Sequence, residues 1–279
     1  MEIICWGSRG SISVSGKDYI KYGGDTTCIE IRTKSNDIII IDAGTGIRRL
    51  GNKLIEERLF KYHFVFTHAH WDHLMGFPFF KPIFLADTEI RVYRCPFPGK
   101  YVENMVSKMV TPPNFPIRYS DLKAKIVYDD GCPDQFEIGS VTVIPIRLSH
   151  PNGACGYKFI EDSKKFVFLT DNELGLVHPG GLAFDDYLDF SSGADLFFHD
   201  AEYTPKEYET KKEWGHSSYT DAIDLALKAG VKKFGLFHLN QERTDREMDE
   251  IVKICRQSIA EKEPDLECFG VKCDMAFKL

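Results

Sequence analysis

The chain has 279 residues, of which 43% are hydrophobic and 28% charged, with 21 Phe and 12 Tyr. That composition excludes a largely disordered chain and suits one large domain, or two small ones, with a core that needs no disulfides. Asp and Glu (42) outnumber Lys and Arg (35), for a net charge of −7. Without a basic run to neutralise phosphates, sequence-independent nucleic-acid binding is not expected as the main task.

The start, Met1-Glu2-Ile3-Ile4-Cys5-Trp6-Gly7, reads as a strand and lacks the basic and apolar regions of a secretory signal. No apolar run approaches the ~18 residues of a membrane span, so a cytosolic protein is expected. Ile3–Trp6, Cys28–Arg32 and Ile38–Asp42 are β-rich, and Lys34-Ser35-Asn36-Asp37 forms a polar tip between the last two. Ile47, Leu50, Leu54, Ile55 and Leu59 give one apolar face to a helix over Thr45–Phe60, followed by a strand at His63–Thr67.

Residues Pro78–Pro116 are aromatic and Pro-rich, with a helix-like piece near Val102–Val110, and suggest an inserted lobe or lid spanning about 78–120. Strands are then predicted at Lys125–Tyr128, Val141–Ile146, Gly156–Glu161, Phe166–Thr170 and Leu196–His199. A helix at Thr220–Ala229 precedes a strand at Lys233–Leu239, and Thr244-x-x-Glu247 is a capping box for a helix ending near Glu261. Strand meanders followed by helices, twice over, predict an α+β sandwich of two mixed sheets with helices outside. No linker or repeat divides it, so residues 1–279 read as one domain.

Three of the nine histidines fall within six residues, in His68-Ala69-His70-Trp71-Asp72-His73, just past the apolar strand Phe64-Val65-Phe66. Imidazoles and a carboxylate at a strand end, where a loop can fold several side chains around one point, are a metal-ligand set. The eight cysteines (Cys5, Cys28, Cys95, Cys132, Cys155, Cys255, Cys268 and Cys273) contain no Cys-x-x-Cys. They are too dilute for a disulfide scaffold and read as reduced thiols, none of them an active-site ligand.

His-x-His-x-Asp-His is the signature of the metallo-β-lactamase fold, and the chain resembles that superfamily over nearly its whole length. Asp42-Ala43-Gly44-Thr45-Gly46 resembles the strand-end motif that braces the metal loop. His150, Asp171 and His238, each at the end of an apolar strand, resemble the remaining ligands in order. The resemblance implies two divalent ions, zinc first, with manganese or iron as alternatives. His68, His70 and His150 would hold one ion, Asp72, His73 and His238 the other, and Asp171 would be shared.

Gly215-His216-Ser217-Ser218 resembles the motif of the ribonuclease Z and cyclic-nucleotide phosphodiesterase branch, in which the His acts on the leaving group. The implied function is hydrolysis of a phosphodiester by a dinuclear-metal-activated hydroxide, with Asp72 and His216 catalytic. The substrate expected is a small anionic, nucleotide-like molecule such as a cyclic or short nucleotide, and not tRNA, because no long Gly/Pro/basic arm is present. A membrane partner is not expected, and a homodimer is left open.

Two rival functions are lactone or thioester hydrolysis at the same ions, and a non-catalytic diiron sensor of oxygen or nitric oxide. The diiron relatives carry Glu where His70 stands, which favours the hydrolase. His199-Asp200-Ala201-Glu202 follows a strand end and either orients a ligand His or forms a loop cluster. Arg9 is a candidate phosphate contact. Phe77, Phe79, Phe80 and Phe84 are candidates for stacking on a base. Gly10 to Asp18 has five residues between its glycines where a P-loop has four, and no Gly-x-Ser-x-Gly elbow occurs.

Overall fold

The computed structural model describes residues 1–93, 100–129, 134–263 and 265–279. The first half comprises β1 (Glu2–Gly7), β2 (Cys28–Arg32), β3 (Ile38–Ile41), α1 (Ile47–Glu56), β4 (Lys61–Val65), β5 (Glu89–Tyr93), α2 (Tyr101–Met109) and β6 (Lys125–Tyr128). The second comprises β7 (Phe136–Ile138), β8 (Val141–Leu148), β9 (Ala154–Glu161), β10 (Lys164–Leu169), α3 (Phe184–Ser191), β11 (Leu196–Asp200), α4 (Pro205–Tyr208), α5 (Tyr219–Lys228), β12 (Lys233–Phe237), α6 (Asp245–Ala260), β13 (Glu267–Gly270) and β14 (Met275–Lys278).

The strands form two seven-stranded sheets, in the orders β14-β1-β2-β3-β4-β5-β6 and β13-β12-β11-β10-β9-β8-β7. The four isoleucines of β3 show why the layers stack as they do. A strand alternates its side chains, so Ile39 and Ile41 face the core between the sheets while Ile38 and Ile40 face the helical side. On the second sheet, Leu196 and Phe198 enter the inter-sheet core and Phe197 the layer beneath α5 and α6. Helices on both outer faces complete an αββα sandwich.

The predicted helix over Thr45–Phe60 is shorter at both ends. Thr45 N and Gly46 N donate to Thr26 Oγ1 and the Thr26 carbonyl (2.9 and 3.4 Å), and Arg58 at φ 57° turns the chain left-handed. The capping box of α6 forms as the sequence indicates: Glu247 N donates to Thr244 Oγ1 (3.3 Å) and Thr244 N to Glu247 Oε2 (2.9 Å).

The stretch read as an inserted lobe contributes β5 to the sheet itself, parallel to β4 and β6. Ile90 and Val92 alternate inward from it, a signal hidden by the flanking prolines and aromatics. Sequence reading also missed α3, β7, β13 and β14. The last strand is half-exposed, and it crosses back to pair antiparallel with β1. No helix of the described residues is long and apolar enough to cross a membrane.

In the first sheet β3 and β4 are parallel, as are β10, β11 and β12 in the second. Parallel strands deliver their C-terminal ends to one side, where loops can gather polar side chains without cutting the core. The core beneath is aromatic: the Phe198 ring meets Phe166, Phe277 and Phe237 at 5.2, 5.6 and 6.0 Å between centroids. Phe198→Ala should therefore cost about 3–5 kcal/mol. Urea unfolding followed by circular dichroism should show a lowered midpoint at unchanged slope.

Candidate metal centre

Asp42, Asp171 and His238 each stand directly past a strand or one residue beyond it, and each has positive φ (60°, 56° and 56°). Asp and His tolerate that left-handed turn better than bulkier or β-branched residues. It swings each side chain out of the strand alternation. The loops after β4, β8, β11 and β12 bring in His68 to His73, His150, Glu202 and His238.

An outer tier of acceptors fixes which way the rings face. Thr67 Oγ1 and Thr67 N both donate to the Asp42 carboxylate (2.6 and 2.7 Å), and His73 Nδ1 donates to it at 2.7 Å. The Thr67 oxygen then accepts from His68 Nδ1 at 3.1 Å. His150 Nδ1 donates to the Gly215 carbonyl (2.9 Å), His238 Nδ1 to Glu202 Oε2 (2.9 Å), and His216 Nδ1 to Asp200 Oδ2 (2.6 Å). With Nδ1 occupied, Nε2 of His68, His73, His150 and His238 turns inward. Only His70 faces inward by Nδ1, which lies 3.1 Å from His150 Nε2.

Besides a group of Asp171, Asp200, His216 and His238, the inward atoms form two sets that share one carboxylate. His68, His70, His150 and Asp171 make one, and Asp72, His73, Asp171 and His238 the other, with ligand atoms within 4.8 Å of one another in each. Asp171 Oδ2 lies 3.4 Å from His68 Nε2 and 3.3 Å from His238 Nε2, and its Oδ1 lies 3.3 Å from His73 Nε2. Asp72 Oδ2 accepts from Ser11 N at 2.8 Å and sits 3.3 Å from His73 Nε2. The two halves of the sequence-read constellation thus converge at one edge of the sandwich.

Protonation follows the surroundings. Burial and neighbouring imidazoles hold His68 well below the ordinary histidine range; burial likewise takes His150 down to about 3 and lowers His70. Around His73 and His238 burial works in the same direction, but carboxylates led by Asp171 outweigh it and raise both well above that range. Burial raises Asp72 and Asp171, yet the nearby histidines hold both well below the usual carboxylate range. For His216 burial is outweighed by Glu202 and Asp200, and the ring is pushed up to about 9.

The residues fit divalent cations. His68 Nε2 and His73 Nε2 are buried and make no hydrogen bond, a costly state for an imidazole nitrogen unless a cation takes its lone pair. A carboxylate shared between two imidazole sets is the donor pattern of a dinuclear centre. No cysteine belongs to these sets among the described residues. Cys155 lies in the inter-sheet core and its thiol donates to the Gly156 carbonyl at 3.1 Å; Cys95 and Cys132 lie outside the described residues.

Several sequence readings change. Arg9 is buried and turned away, its guanidinium donating to the carbonyls of Asn240, Arg243 and Gly23 (3.0, 2.9 and 2.9 Å), so it braces loops and does not reach for phosphate. Phe77 and Phe80 are core residues, and of the four candidate stacking rings only Phe79 and Phe84 reach the surface. Asp200 and Glu202 orient His216 and His238, while His199 Nε2 lies 3.1 Å from Asn172 Nδ2, behind them.

Sequence reasoning missed Glu173. Its carboxylate accepts from His178 Nε2 and Tyr208 OH (both 2.8 Å), Glu213 N (3.0 Å) and Gly215 N (2.8 Å), and so ties down the loop that carries His216. The acid lies two places after Asp171, but its partners come from distant loops and leave no local pattern.

Residues 38–239 match the family model described as a beta-lactamase superfamily domain. A ribonuclease Z of Haloarcula marismortui is 22% identical over 276 residues, covering 81% of this chain and 84% of the relative. A solved diphosphatase of the PhnP family superposes with a TM-score of 0.69 at 16% identity, covering 100% of this chain and 97% of that one. Zinc-bound PqqB from Methylobacterium extorquens gives a TM-score of 0.70 at 12% identity, covering 100% of both chains. At these identities the structural likeness shows the fold alone.

Gly215 has φ 89°, and a Cβ there would overlap the His150 ring and Pro151. Gly215→Ala should destabilise the fold by about 1–3 kcal/mol through strained backbone and displaced His150. Thermal melts should show the loss, with bound metal falling in parallel.

Proposed function

Because the chain belongs to the beta-lactamase superfamily, we propose that it is a metal-dependent hydrolase of phosphodiesters, acting on a cyclic or short nucleotide. The observation that carries this reading is the His216–Asp200 pair beside the two ligand sets. The His216 ring lies 4.6 Å from that of His238 and 5.4 Å from that of His150, with Nδ1 committed to Asp200.

His68, His70 and His150 would hold one ion and Asp72, His73 and His238 the other, with Asp171 common to both. Zinc is the ion assigned, since His and Asp donors suit it and a zinc-bound protein shares the fold. The ions would supply a water of lowered pKa and positive charge for the developing phosphorane.

The chain's own groups do the rest. Asp72, held by Ser11 N, orients the attacking water. Asp200 aims His216 and keeps its Nδ1 proton in place, so that Nε2 gives its proton to the departing oxygen. Glu202 positions His238 and adds negative charge beside His216, favouring its proton-bearing form.

A carbonyl substrate such as a lactone would leave the Asp200–His216 pair without a task, and a diiron sensor would leave His70 unexplained; both readings rank below this one. The relative named ribonuclease Z supports phosphodiester chemistry and gives no support to the expectation that tRNA is excluded. The small diester is preferred on net charge and on the lack of a long Gly/Pro/basic arm in the sequence.

His216→Ala should keep its bound metal and lose on the order of 10²–10⁴ in kcat on a diester with a poor leaving group. On bis(p-nitrophenyl) phosphate, whose leaving group needs little protonation, the loss should be smaller. Equal losses on both would refute the acid role.

A further inference from the structure

The indole of Trp71 is 74% exposed, although its neighbours in the chain, His70 and Asp72, turn into the metal centre. A single exposed apolar residue is ordinary, but an indole that lines surface cavities offers a large flat face to a ligand. It has no ring or cation partner among the described residues. Two cavities meet at it. One, of about 350 Å³, runs over Ala69, Leu74, Asn104 and Met105. The other, of about 460 Å³, runs over Met75, Pro78, Asn114 and the Phe79–Phe115 pair, whose rings lie edge-on at 5.9 Å. Trp71, Lys108 and Met109 line both.

From this arrangement we infer that Trp71 is the stacking platform for the base of a nucleotide whose phosphate lies in the metal centre. This rests on the phosphodiesterase reading and deepens it. The chemistry of the linings selects the occupant. An exposed indole that lines two cavities suits a planar ring, and stacking tolerates any base.

Asn104 and Asn114 bring side-chain amides, which make no other hydrogen bond among the described residues and can pair with the polar edge of a base. Lys108 brings a positive charge, and neither lining contains a carboxylate. In a chain of net charge −7, a cation without acidic neighbours suits an anionic ligand. In the chain Trp71 stands between His70 and Asp72, whose side chains belong to the two ligand sets, so the platform lies beside the centre. Helix α2, which supplies Asn104, Met105, Lys108 and Met109, belongs to the stretch read from sequence as a lid.

The test is equilibrium binding of AMP and of ribose 5-phosphate to the zinc-loaded chain, by calorimetry and tryptophan fluorescence. AMP should bind about 10-fold tighter than ribose 5-phosphate and quench fluorescence. Trp71→Ala should bring the two affinities together, while Trp71→Phe should keep most of the difference. Lys108→Gln should weaken both ligands alike. Bound zinc, measured in each variant, separates a lost platform from a disturbed metal loop. If Trp71→Ala loses zinc, Phe79→Ala, which lies outside that loop, carries the test and should narrow the ratio. Equal affinities in the wild type, or an unchanged ratio in zinc-retaining Trp71→Ala or, where that variant loses zinc, in Phe79→Ala, would overturn the inference. The ratio is read without turnover, so its failure and the failure of diester hydrolysis are separate results.

Discussion

The metal centre depends on where the Nδ1 protons of its buried imidazoles go. Thr67 takes that of His68, Asp42 that of His73, the Gly215 carbonyl that of His150 and Glu202 that of His238. A neutral imidazole has one donor and one acceptor, so committing Nδ1 outward leaves a lone pair on Nε2 pointing inward. The acceptors come from four different loops, and each is itself held. Asp42 is saturated by Thr67 and His73, Glu202 N donates to Asp200 Oδ1 at 3.0 Å, and Gly215 is tied to Glu173. Without that tier the same histidines would be free to choose either tautomer and many rotamers, and a cation would have to order them at entropic cost.

Sheet topology makes the tier possible. Parallel runs in each sheet end at the same edge, and left-handed residues at three strand ends turn Asp42, Asp171 and His238 out of the pleat. The inter-sheet core beneath is closed by Phe and Ile side chains, so the polar groups are excluded from water on one side and bounded by loops on the other. In that setting uncompensated charge is expensive: the carboxylates of Asp72 and Asp171 raise His73 and His238 so that their protons offset the negative charge, and a pair of cations would take the place of those protons.

The sequence made the inner groups legible because they are either adjacent, as in His68 to His73, or placed at the ends of recognisable apolar strands, as are His150, Asp171 and His238. Strands such as Cys28–Arg32 and Lys125–Tyr128 were legible to the residue, since short runs rich in β-branched and aromatic residues, bounded by polar turns, leave little choice. What escaped was non-local. Glu173 and the direction of Arg9 are decided largely by loops far along the chain, at Tyr208–Gly215 and at Asn240–Arg243. The strand β5 alternates Ile90 and Val92, but its Pro-rich and aromatic flanks masked that signal. Asp200 and Glu202 were visible as acids past a strand, but their partners were not.

The central claim is that the two imidazole–carboxylate sets exist to hold two cations through Asp171. Its most direct measurement is metal content by elemental analysis of the purified chain and its Asp171→Ala variant, paired with anomalous diffraction at the metal edge. The account requires two ions per wild-type chain, one beside His68, His70 and His150 and one beside Asp72, His73 and His238, with weakened binding at both in the variant. A chain that holds a single ion, or a variant that keeps both at wild-type affinity, would contradict it.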